Sequence, residues 1–479
     1  MIARRHFFRT IRHGCAVMRA ASVLVIGCGE SPNDSNSEPV VPRNVLIVLI
    51  DATVATHMYP WGYGRDPAPQ FRKIAREGML FLNAHSQGAN TTPSVWSFMT
   101  GRYPYLPEPL SSYTTHRPFD DDYVMAEAFR DAGFRTGGFA ENPWIHSKYG
   151  WDKGFDHFKD VPALYDHEGE RWSRIPDATE RTLEYAREWI EDQGDERWFC
   201  YVHLIRPHDP YDAPAEYTSR YTRQPLRGHD HPRAEHRIRD VARTDPAQVT
   251  QDDLDYLIDM YDANLRYVDD LVGRFYDSLK DAGVTEDTLV VLMSDHGEAF
   301  MEHGVLGHNT TAYEEMVHVP LAIVGPRGSA FSRGAYSGVV DLVDLMPTFA
   351  ELFGLNPKQE LAGQSLVPVL RGSSAPVRDQ SISHSAFDHF RVAIRIGDRK
   401  LIAHIDPEYR EIKSFEVYDL KTDPAEKHDL SAEAELAAPL LDAMKRYLAG
   451  IERKDSADDP VLDPDDEARL KAIGYLGSD

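Results

Sequence analysis

Residues 45–51 read VLIVLID, six apolar side chains in a row followed by an aspartate. A continuous apolar run of this length is typical of a strand buried on both faces of a parallel sheet. Asp51 then follows the carboxyl end of the strand, where open α/β sheets place their ligands. An aspartate at such a point also occurs simply as a helix cap or a turn residue. We therefore predict a parallel sheet around this strand and treat Asp51 as its first candidate site residue.

Residues 288–298 repeat this pattern with the sequence TLVVLMSDHGE. The apolar part predicts another buried strand, which Asp295 and His296 follow directly. Carboxylate and imidazole groups without any sulfur suit a hard or borderline divalent cation. This stretch therefore predicts metal ligands at the carboxyl end of the strand.

A short helix is predicted for residues 90–101, which read NTTPSVWSFMTG. Thr92 is a suitable N-cap, Pro93 suits the first helical position and Gly101 ends the helix. Thr91 would then lie just ahead of unpaired backbone N–H groups, which form a natural anion site. A hydroxyl held there can attack a phosphorus or sulfur centre. The alternative is a capped helix that carries no chemistry.

Two histidines lie in loops after predicted elements. His208 follows the apolar run 198–204, and His308 lies in the turn Gly307-His308-Asn309. A single histidine after a strand is more often a hydrogen-bonding loop residue than a catalytic group. Its unperturbed pKa near neutrality nevertheless suits a proton donor.

The remaining pattern alternates between helix and strand up to residue 354, which predicts a doubly wound α/β domain. The predicted strands are 79–82, 134–139, 198–204 and 319–324, and the predicted helices are 69–78, 123–132, 178–191, 254–282 and 339–353. Pro320 favours an edge strand or a strand start. The charged stretch 222–252 is interpreted as a surface insertion. Later, the strands 391–396, 400–405 and 415–420 and the helix 432–448 predict a small antiparallel sheet with a helix.

Composition excludes one class of partner. The chain has 52 Lys and Arg against 77 Asp and Glu, a formal net charge of −25. Nucleic-acid binding needs an excess of basic residues, so we expect no nucleic-acid partner. Three cysteines in 479 residues imply no disulfide framework.

The first residues are typical of an export signal. They are rich in arginine, continue in a short apolar run, and end in Val25-Ile26-Gly27-Cys28, which resembles a lipobox. The apolar run is too short to span a membrane. We expect export to the periplasm or cell envelope, with membrane attachment through a lipid on Cys28. A translation start at Met18 would leave this motif intact.

In their order along the chain, these stretches resemble the sulfatases of the alkaline phosphatase superfamily. The supporting stretches are 44–51, 91–104, 207–211, 294–298, 307–308, 341–347 and 417–424. The resemblance implies a large α/β/α sandwich with one metal site and a small C-terminal antiparallel-sheet-and-helix subdomain. The implied division is a signal peptide (1–28), a flexible tether (29–43), a catalytic domain (44–372), a C-terminal subdomain (373–450) and an acidic tail (451–479).

The resemblance also implies roles for individual residues. Asp51, Asp295 and His296 fall where the family holds its metal, together with the nucleophile. Thr91 falls where a sulfatase has the Cys or Ser that becomes formylglycine. His208 and His308 fall where the family contacts the anionic group or the leaving oxygen of the substrate.

The nucleophile motif departs from the sulfatase pattern of Cys or Ser, any residue, Pro, Ser and Arg. Here it reads TTPSV, with Thr91 first and Val95 in place of the arginine. Oxidised threonine would give a ketone and not an aldehyde, so the aldehyde-hydrate route is expected to be closed. Ala52 also replaces an acidic or polar residue that often follows the first aspartate. Threonine is the nucleophile in related nucleotide phosphodiesterases and in phosphoethanolamine and phosphoglycerol transferases.

Three functions follow from these observations. The first is an exported hydrolase of sulfate or phosphate/phosphonate esters, with Thr91 as nucleophile and one divalent metal ion, namely calcium, manganese or zinc. Its substrate would be a small-molecule or glycan anionic ester. The second is a transferase of a phospho-headgroup. The third is a binding protein that kept the fold and lost the chemistry, which Val95 and Ala52 favour.

Overall fold

The computed structural model describes residues 40–108, 116–162, 164–167, 171–222, 233–385, 390–406 and 411–455. The predicted signal peptide with Cys28, most of the tether and most of the acidic tail lie outside these residues. The domain boundaries therefore stay predictions. None of the described helices is long and apolar enough to cross a membrane.

The described strands are numbered in chain order. They are β1 (Asn44–Ile50), β2 (Met79–His85), β3 (Leu106–Glu108), β4 (Arg135–Ala140), β5 (His157–Asp160), β6 (Leu164–His167), β7 (Arg171–Arg174), β8 (Trp198–Leu204), β9 (Thr288–Met293), β10 (Ala299–Phe300), β11 (Leu306–Gly307), β12 (His318–Val324), β13 (Gly334–Asp341), β14 (Gln380–Ser385), β15 (Arg391–Ile396), β16 (Arg399–Ile405), β17 (Ile412–Asp419) and β18 (Arg453–Asp455).

The described α-helices are numbered in the same way. They are α1 (Pro69–Ala75), α2 (Thr91–Thr100), α3 (Met125–Asp131), α4 (Ala178–Asp192), α5 (Ala215–Tyr221), α6 (Arg233–Thr244), α7 (Gln251–Asp281), α8 (Glu314–Val317), α9 (Leu345–Phe353), α10 (Val367–Leu370) and α11 (Ala434–Gly450).

The main sheet has eight strands in the order β13-β2-β12-β9-β1-β8-β4-β5. All described pairings within it are parallel except those of β12, which runs antiparallel to β2 and β9. The predicted α/β class with a mostly parallel sheet is therefore confirmed.

Strand β1 lies inside this sheet, between β8 and β9, and all of its residues are buried. Its side chains alternate between the two faces, as the pleat requires. Val45, Ile47 and Leu49 join the core that contains residues of α2, α3 and α9. Leu46, Val48 and Ile50 join the core on the other face, with residues of α1, α4 and α7. Helices on both faces explain why the run is apolar at every position.

Strand β12 corrects one expectation. Pro320 favoured an edge strand or a strand start, but β12 pairs with β2 on one side and β9 on the other. The pairing with β2 shifts register between Val319 and Leu321. This irregularity accommodates the missing N–H of Pro320, whose carbonyl accepts a hydrogen bond from Ser294 N at 3.2 Å.

The described part of the stretch 222–252 is also more regular than predicted. It contains helix α6, in which Glu235, Ile238 and Arg239 are buried. The buried apolar residues of this helix, Ala234, Ile238 and Ala242, are few and mostly small. They recur every fourth residue among charged neighbours, a helical period that the charge content obscured.

The smaller C-terminal sheet has the antiparallel order β14-β15-β16-β17. Helix α11 packs on it through Ala437, Leu440 and Met444, which share a core with Val392 and Leu401. The predicted subdomain architecture of an antiparallel sheet and a helix is therefore confirmed.

A buried ion-pair cluster lies between β13 and the approach to β14. Arg378 pairs with Asp341 and Asp344 and donates a hydrogen bond to the Tyr103 hydroxyl at 3.0 Å. Asp341 N donates to Asp344 Oδ2 at 2.9 Å, which is the helix-capping arrangement for the turn that leads into α9. Both aspartates are fully buried, so their charges depend on Arg378.

Replacement of Arg378 by glutamine should lower the free energy of unfolding by about 3 kcal/mol, because two buried carboxylates lose their counter-charge. The control is Arg187→Gln, which removes a solvent-exposed pair with Glu191 in α4 and should cost under about 1 kcal/mol. Urea titration of both variants measures the difference. Equal losses would contradict the importance of the buried cluster.

Candidate active site

The carboxyl ends of neighbouring strands place polar side chains at one edge of the main sheet. Asp51 follows β1, Asp295 follows β9, and His203 is the penultimate residue of β8. Asn142 comes shortly after β4. The loop after β2 leads into α2, whose first residue is Thr91. All five residues are buried.

Helix α2 begins two residues earlier than predicted. Its N-cap is Asn90, so Thr91 occupies the first helical position and Thr92 and Pro93 follow within the first turn. Pro93 is tolerated there because the first four N–H groups of a helix have no intrahelical acceptor. Gly101 ends the helix in the left-handed conformation with φ +71°, as predicted. The correction moves Thr91 into the helix but leaves it at the amino end.

The Thr91 hydroxyl faces the imidazole of His296. Thr91 Oγ1 lies 3.2 Å from His296 Nε2, and Asn142 Nδ2 donates to the same hydroxyl at 3.4 Å. His296 Nδ1 donates to the carbonyl of Gly297 at 2.8 Å, which fixes the tautomer and leaves a lone pair on Nε2. That lone pair can accept the Thr91 proton or bind a cation.

Gly297 is required by the close packing of this loop. A Cβ atom there would lie 2.1 Å from the carbonyl oxygen of Glu315. Gly297 N also donates to the carbonyl of Met316 at 2.8 Å. This contact holds the loop after β9 against the chain of α8 and so fixes the position of His296.

The carboxylates of Asp51 and Asp295 are fully buried, and each keeps one oxygen without a hydrogen-bond donor among the described residues. These oxygens are Oδ1 of Asp51 and Oδ2 of Asp295, which lie 3.4 and 3.7 Å from His296 Nε2. Asp295 Oδ1 accepts hydrogen bonds from Ala52 N at 3.3 Å and from His296 N at 3.0 Å. Asn142 Nδ2 donates to the second oxygen of Asp51 at 2.6 Å.

The two carboxylates respond differently to their surroundings. Burial alone would raise the pKa of Asp51, but the hydrogen bond from His203 and the charges of His208 and His296 hold that pKa well below its usual range. Burial, together with the charge of Asp51, raises the pKa of Asp295. Two adjacent buried carboxylates are both charged only where a positive charge compensates them.

His203 is a site residue that the sequence reasoning missed. One atom each of Asp51, His203 and Asp295 lies within 4.8 Å of the others, a cluster able to hold a metal ion. However, His203 Nε2 lies 3.1 Å from Oδ2 of Asp51, and its Nδ1 lies 2.8 Å from the Tyr201 hydroxyl. With Tyr201 as donor to Nδ1, the Nε2–H donates to Asp51, so His203 orients this carboxylate.

The residues therefore fit one divalent cation. Two orphaned carboxylate oxygens, an imidazole lone pair and a hydroxyl converge, and they belong to Asp51, Asp295, His296 and Thr91. Oxygen and imidazole nitrogen suit calcium, manganese or zinc. The structure thus brings together all four residues that the sequence predicted as metal ligands.

His208 and His308 form a second part of the site. Their Nε2 atoms lie 3.3 Å apart, and the ring of His308 lies 4.6 Å from that of His296. Each imidazole has a carboxylate behind it. His208 Nδ1 lies 3.0 Å from Asp209 Oδ1, and His308 Nδ1 lies 2.9 Å from Glu298 Oε2. Both predicted histidines are therefore adjacent to the Thr91–His296 contact.

The two histidines have opposite pKa shifts. Burial alone would lower the pKa of His208, but Asp209 and the more distant Asp51 and Glu298 raise it to about 9. For His308, burial outweighs the attraction of Glu298 and lowers the pKa to about 4. These shifts favour the imidazolium form of His208 and the neutral form of His308.

The sequence reasoning also gave no role to Asn142, Asp209, Glu298 and Arg239. Asp209 and Glu298 lie within motifs that were identified, each one or two residues from a predicted site residue. Asn142 follows a short predicted strand, where a polar residue is common. Arg239 belongs to the stretch taken as a surface insertion, and nothing in its sequence separates it from the surrounding arginines.

Comparison with known proteins places this geometry in a family. The profile described as "Sulfatase" matches residues 43–355. The profile described as "N-sulphoglucosamine sulphohydrolase, C-terminal" matches residues 301–454.

Individual proteins agree with these profiles. The chain is 28% identical over 385 residues to arylsulfatase K of Xenopus laevis, covering 74% of this chain and 70% of that protein. It is 25% identical over 500 residues to a multifunctional alkaline phosphatase superfamily protein of Trinickia caryophylli, covering 85% and 95%. The fold is similar to the crystal structure of the phosphonate monoester hydrolase of Agrobacterium radiobacter, with a TM-score of 0.67, 20% identity and coverage of 85% and 95%.

The first profile extends from the start of the main sheet to the end of α9 and so matches well over half of the chain. With the central sheet, the small C-terminal sheet and the cluster around Asp51 all in place, the chain belongs to the sulfatase family of the alkaline phosphatase superfamily, a family of ester-hydrolysing enzymes.

Proposed function

We propose that this protein is an exported, metal-dependent hydrolase of sulfate or phosphate/phosphonate esters with Thr91 as its nucleophile. The observation that carries the proposal is the position of the Thr91 hydroxyl. It is fully buried at the amino end of α2, 3.2 Å from the Nε2 lone pair of His296 and beside the two orphaned carboxylate oxygens. A hydroxyl becomes a nucleophile where a base or a cation lowers its pKa.

A divalent metal held by Asp51, Thr91, Asp295 and His296 would supply Lewis acidity that polarises a substrate oxygen and lowers the pKa of the threonine hydroxyl. The amino end of α2, where Thr91 lies, carries the positive end of the helix dipole, which favours an anionic group nearby. Asn142 donates to Asp51 and to Thr91, so it holds the hydroxyl and the carboxylate in fixed relation.

The Thr91 hydroxyl releases its proton to solvent and recovers one at the end of the cycle. Its Oγ1 attacks phosphorus or sulfur, and this bond forms while the bond to the leaving oxygen breaks. His208 or His308 donates a proton to that leaving oxygen, and the alcohol departs. The Thr91 ester is then hydrolysed by water, whose proton returns to the histidine that gave one up. Thr91 is regenerated, and the net reaction consumes one water molecule.

The choice of substrate class rests on the relatives. They include an arylsulfatase and a phosphonate monoester hydrolase, which differ in the central atom of the ester. Small-molecule or glycan anionic esters are therefore the proposed substrates. Because the net charge of the chain is strongly negative, such an anion must be attracted by local groups, namely the cation, the positive end of the α2 dipole and His208.

Two alternatives are tested by the same experiments. One is transfer of a phospho-headgroup to an alcohol acceptor in place of water. The other is a binding protein without activity, which Val95 favours. Val95 is fully buried in the core beside Trp96, so this position supplies no arginine to the nucleophile.

Purified protein should hydrolyse at least one ester from a panel of nitrophenyl phosphate, phosphate diester, phosphonate and sulfate, with calcium, manganese or zinc supplied. Thr91→Ala should lower that turnover by at least about 10³-fold, because no other group replaces the nucleophile. Thr91→Ser should retain part of the activity. The matched control is Thr92→Ala, in the same helical turn, which should keep most of it.

The panel separates the alternatives. Turnover that persists in Thr91→Ala would contradict the proposed nucleophile. Bound metal without turnover of any ester would favour the transferase, to be checked with added alcohol acceptors. Absence of both metal and turnover would favour the binding protein.

Metal affinity should distinguish ligands from residues that orient them. His296→Ala and Asp295→Asn should lower the affinity for the activating cation by more than about 100-fold, because each removes a ligand. His203→Ala should lower it by about 10- to 100-fold, as expected for a partner that only orients Asp51. Isothermal titration calorimetry on the metal-free variants measures this. A larger loss in His203→Ala than in His296→Ala would reverse the two roles.

Export and membrane attachment through Cys28 complete the proposal. In a Gram-negative expression host, the wild type should incorporate labelled palmitate and fractionate with membranes. Cys28→Ser should do neither, because the lipid-bearing thiol is gone. Equal labelling of both forms would exclude Cys28 as the attachment point.

A further inference from the structure

The carboxylates behind His208 and His308 converge on one side chain. Arg239 Nε lies 3.5 Å from Asp209 Oδ2, and Arg239 Nη2 lies 3.3 Å from Glu298 Oε1. The other oxygen of each carboxylate contacts a histidine, since Asp209 Oδ1 contacts His208 and Glu298 Oε2 contacts His308. One guanidinium thus links two carboxylates, and each carboxylate links it to one imidazole.

We propose that Arg239 is a positioning residue for proton transfer to the leaving group. It fixes Asp209 and Glu298 in the orientation that aims the Nε2 atoms of His208 and His308 at each other and at the leaving oxygen. The inference rests on the proposed function. It makes leaving-group protonation depend on a residue of helix α6, which lies outside the sheet edge that carries the metal-site residues.

Arg239 is itself held on several sides. Glu235, one turn earlier in α6, accepts from Arg239 Nε at 3.2 Å through Oε1 and from Tyr211 N at 2.9 Å through Oε2. The Tyr211 hydroxyl donates to Glu298 Oε1 at 2.9 Å, and the guanidinium carbon lies 5.1 Å from the centre of the Tyr211 ring. Such a network restricts the guanidinium to one position.

The charges explain why an arginine is needed. The guanidinium of Arg239 contacts three carboxylates, those of Asp209, Glu235 and Glu298. Burial alone would lower the pKa of Arg239, but these acidic neighbours raise it well above its ordinary value. A planar fork can contact two carboxylates at once, whereas the single ammonium group of lysine cannot reproduce that geometry.

A role in proton transfer makes a prediction that a purely structural role does not. Protonation of the leaving oxygen matters greatly for a poor leaving group such as an alkyl alcohol, and little for nitrophenolate, which departs unprotonated. Loss of Arg239 should therefore damage the hydrolysis of alkyl esters selectively. A general loss of folding would lower turnover of both kinds of ester to the same degree.

The experiment compares Arg239→Gln and Arg239→Lys with wild type on an alkyl and a nitrophenyl ester that share the same phosphoryl or sulfuryl group. The kcat of Arg239→Gln should fall about 10²-fold on the alkyl ester and less than about 3-fold on the nitrophenyl ester, with KM nearly unchanged. Arg239→Lys should fall between Arg239→Gln and wild type. The matched control is Arg243→Gln, in the same helix with a half-exposed side chain, which should behave as wild type.

A second measurement is independent of turnover. Proton–nitrogen NMR of histidine-labelled protein reports the Nδ1–H groups of His208 and His308, assigned with His208→Asn and His308→Asn. Their hydrogen-bonded signals should shift or vanish in Arg239→Gln and persist in Arg243→Gln, while the His203 signals stay in place.

The outcomes separate the two proposals. Equal loss on both esters, or unchanged histidine signals in Arg239→Gln, would overturn the role of Arg239. If the wild type hydrolyses no ester, the proposed function fails, and the NMR comparison still decides whether Arg239 orients the two histidines.

Discussion

This site depends on the burial of two neighbouring carboxylates, which are shielded from solvent. Asp51 and Asp295 follow the adjacent strands β1 and β9, all of whose residues are buried. Each uses one oxygen for hydrogen bonds from its surroundings and keeps the other without a donor. Burial of two such charges is unfavourable unless a cation compensates them. Hydrogen bonds from His203, Asn142 and backbone N–H groups hold the two carboxylates in place. The resulting orientation suits the binding of one cation.

Much of the fold could be predicted because it depends on local pattern. The apolar runs that became β1, β8 and β9 are buried on both faces and have no polar alternation, a pattern that favours strands of a parallel sheet. Strand β12 and helix α6 were less predictable for physical reasons. A proline is compatible with an inner strand only where a register shift removes the need for its N–H, and α6 buries a narrow stripe of small residues among charges.

The candidate site could be predicted only in part. Asp51 and Asp295 could be predicted because a charged residue at the end of an apolar run is conspicuous in the sequence. His203 points into the site from within a strand, where an imidazole is indistinguishable from a core residue. The link from Arg239 to Glu298 joins a helix to a distant loop, and only the folded chain shows that one guanidinium serves two carboxylates. The sequence also did not decide where α2 begins, since both Asn90 and Thr92 are residue types that cap helices well. The structure has Asn90 as the N-cap.

The position of β1 has a consequence for biosynthesis. Val45 pairs with Phe199 on one side and with Leu289 on the other, so β1, the first of the described strands to be synthesised, pairs with strands that are made much later. Until then an uninterrupted apolar segment stays unpaired, which is the kind of sequence that associates with other chains. Folding of the whole sheet is expected to be slow, because its contacts join distant parts of the chain. We therefore expect the nascent β1 segment to benefit from chaperone protection until β8 and β9 have been made.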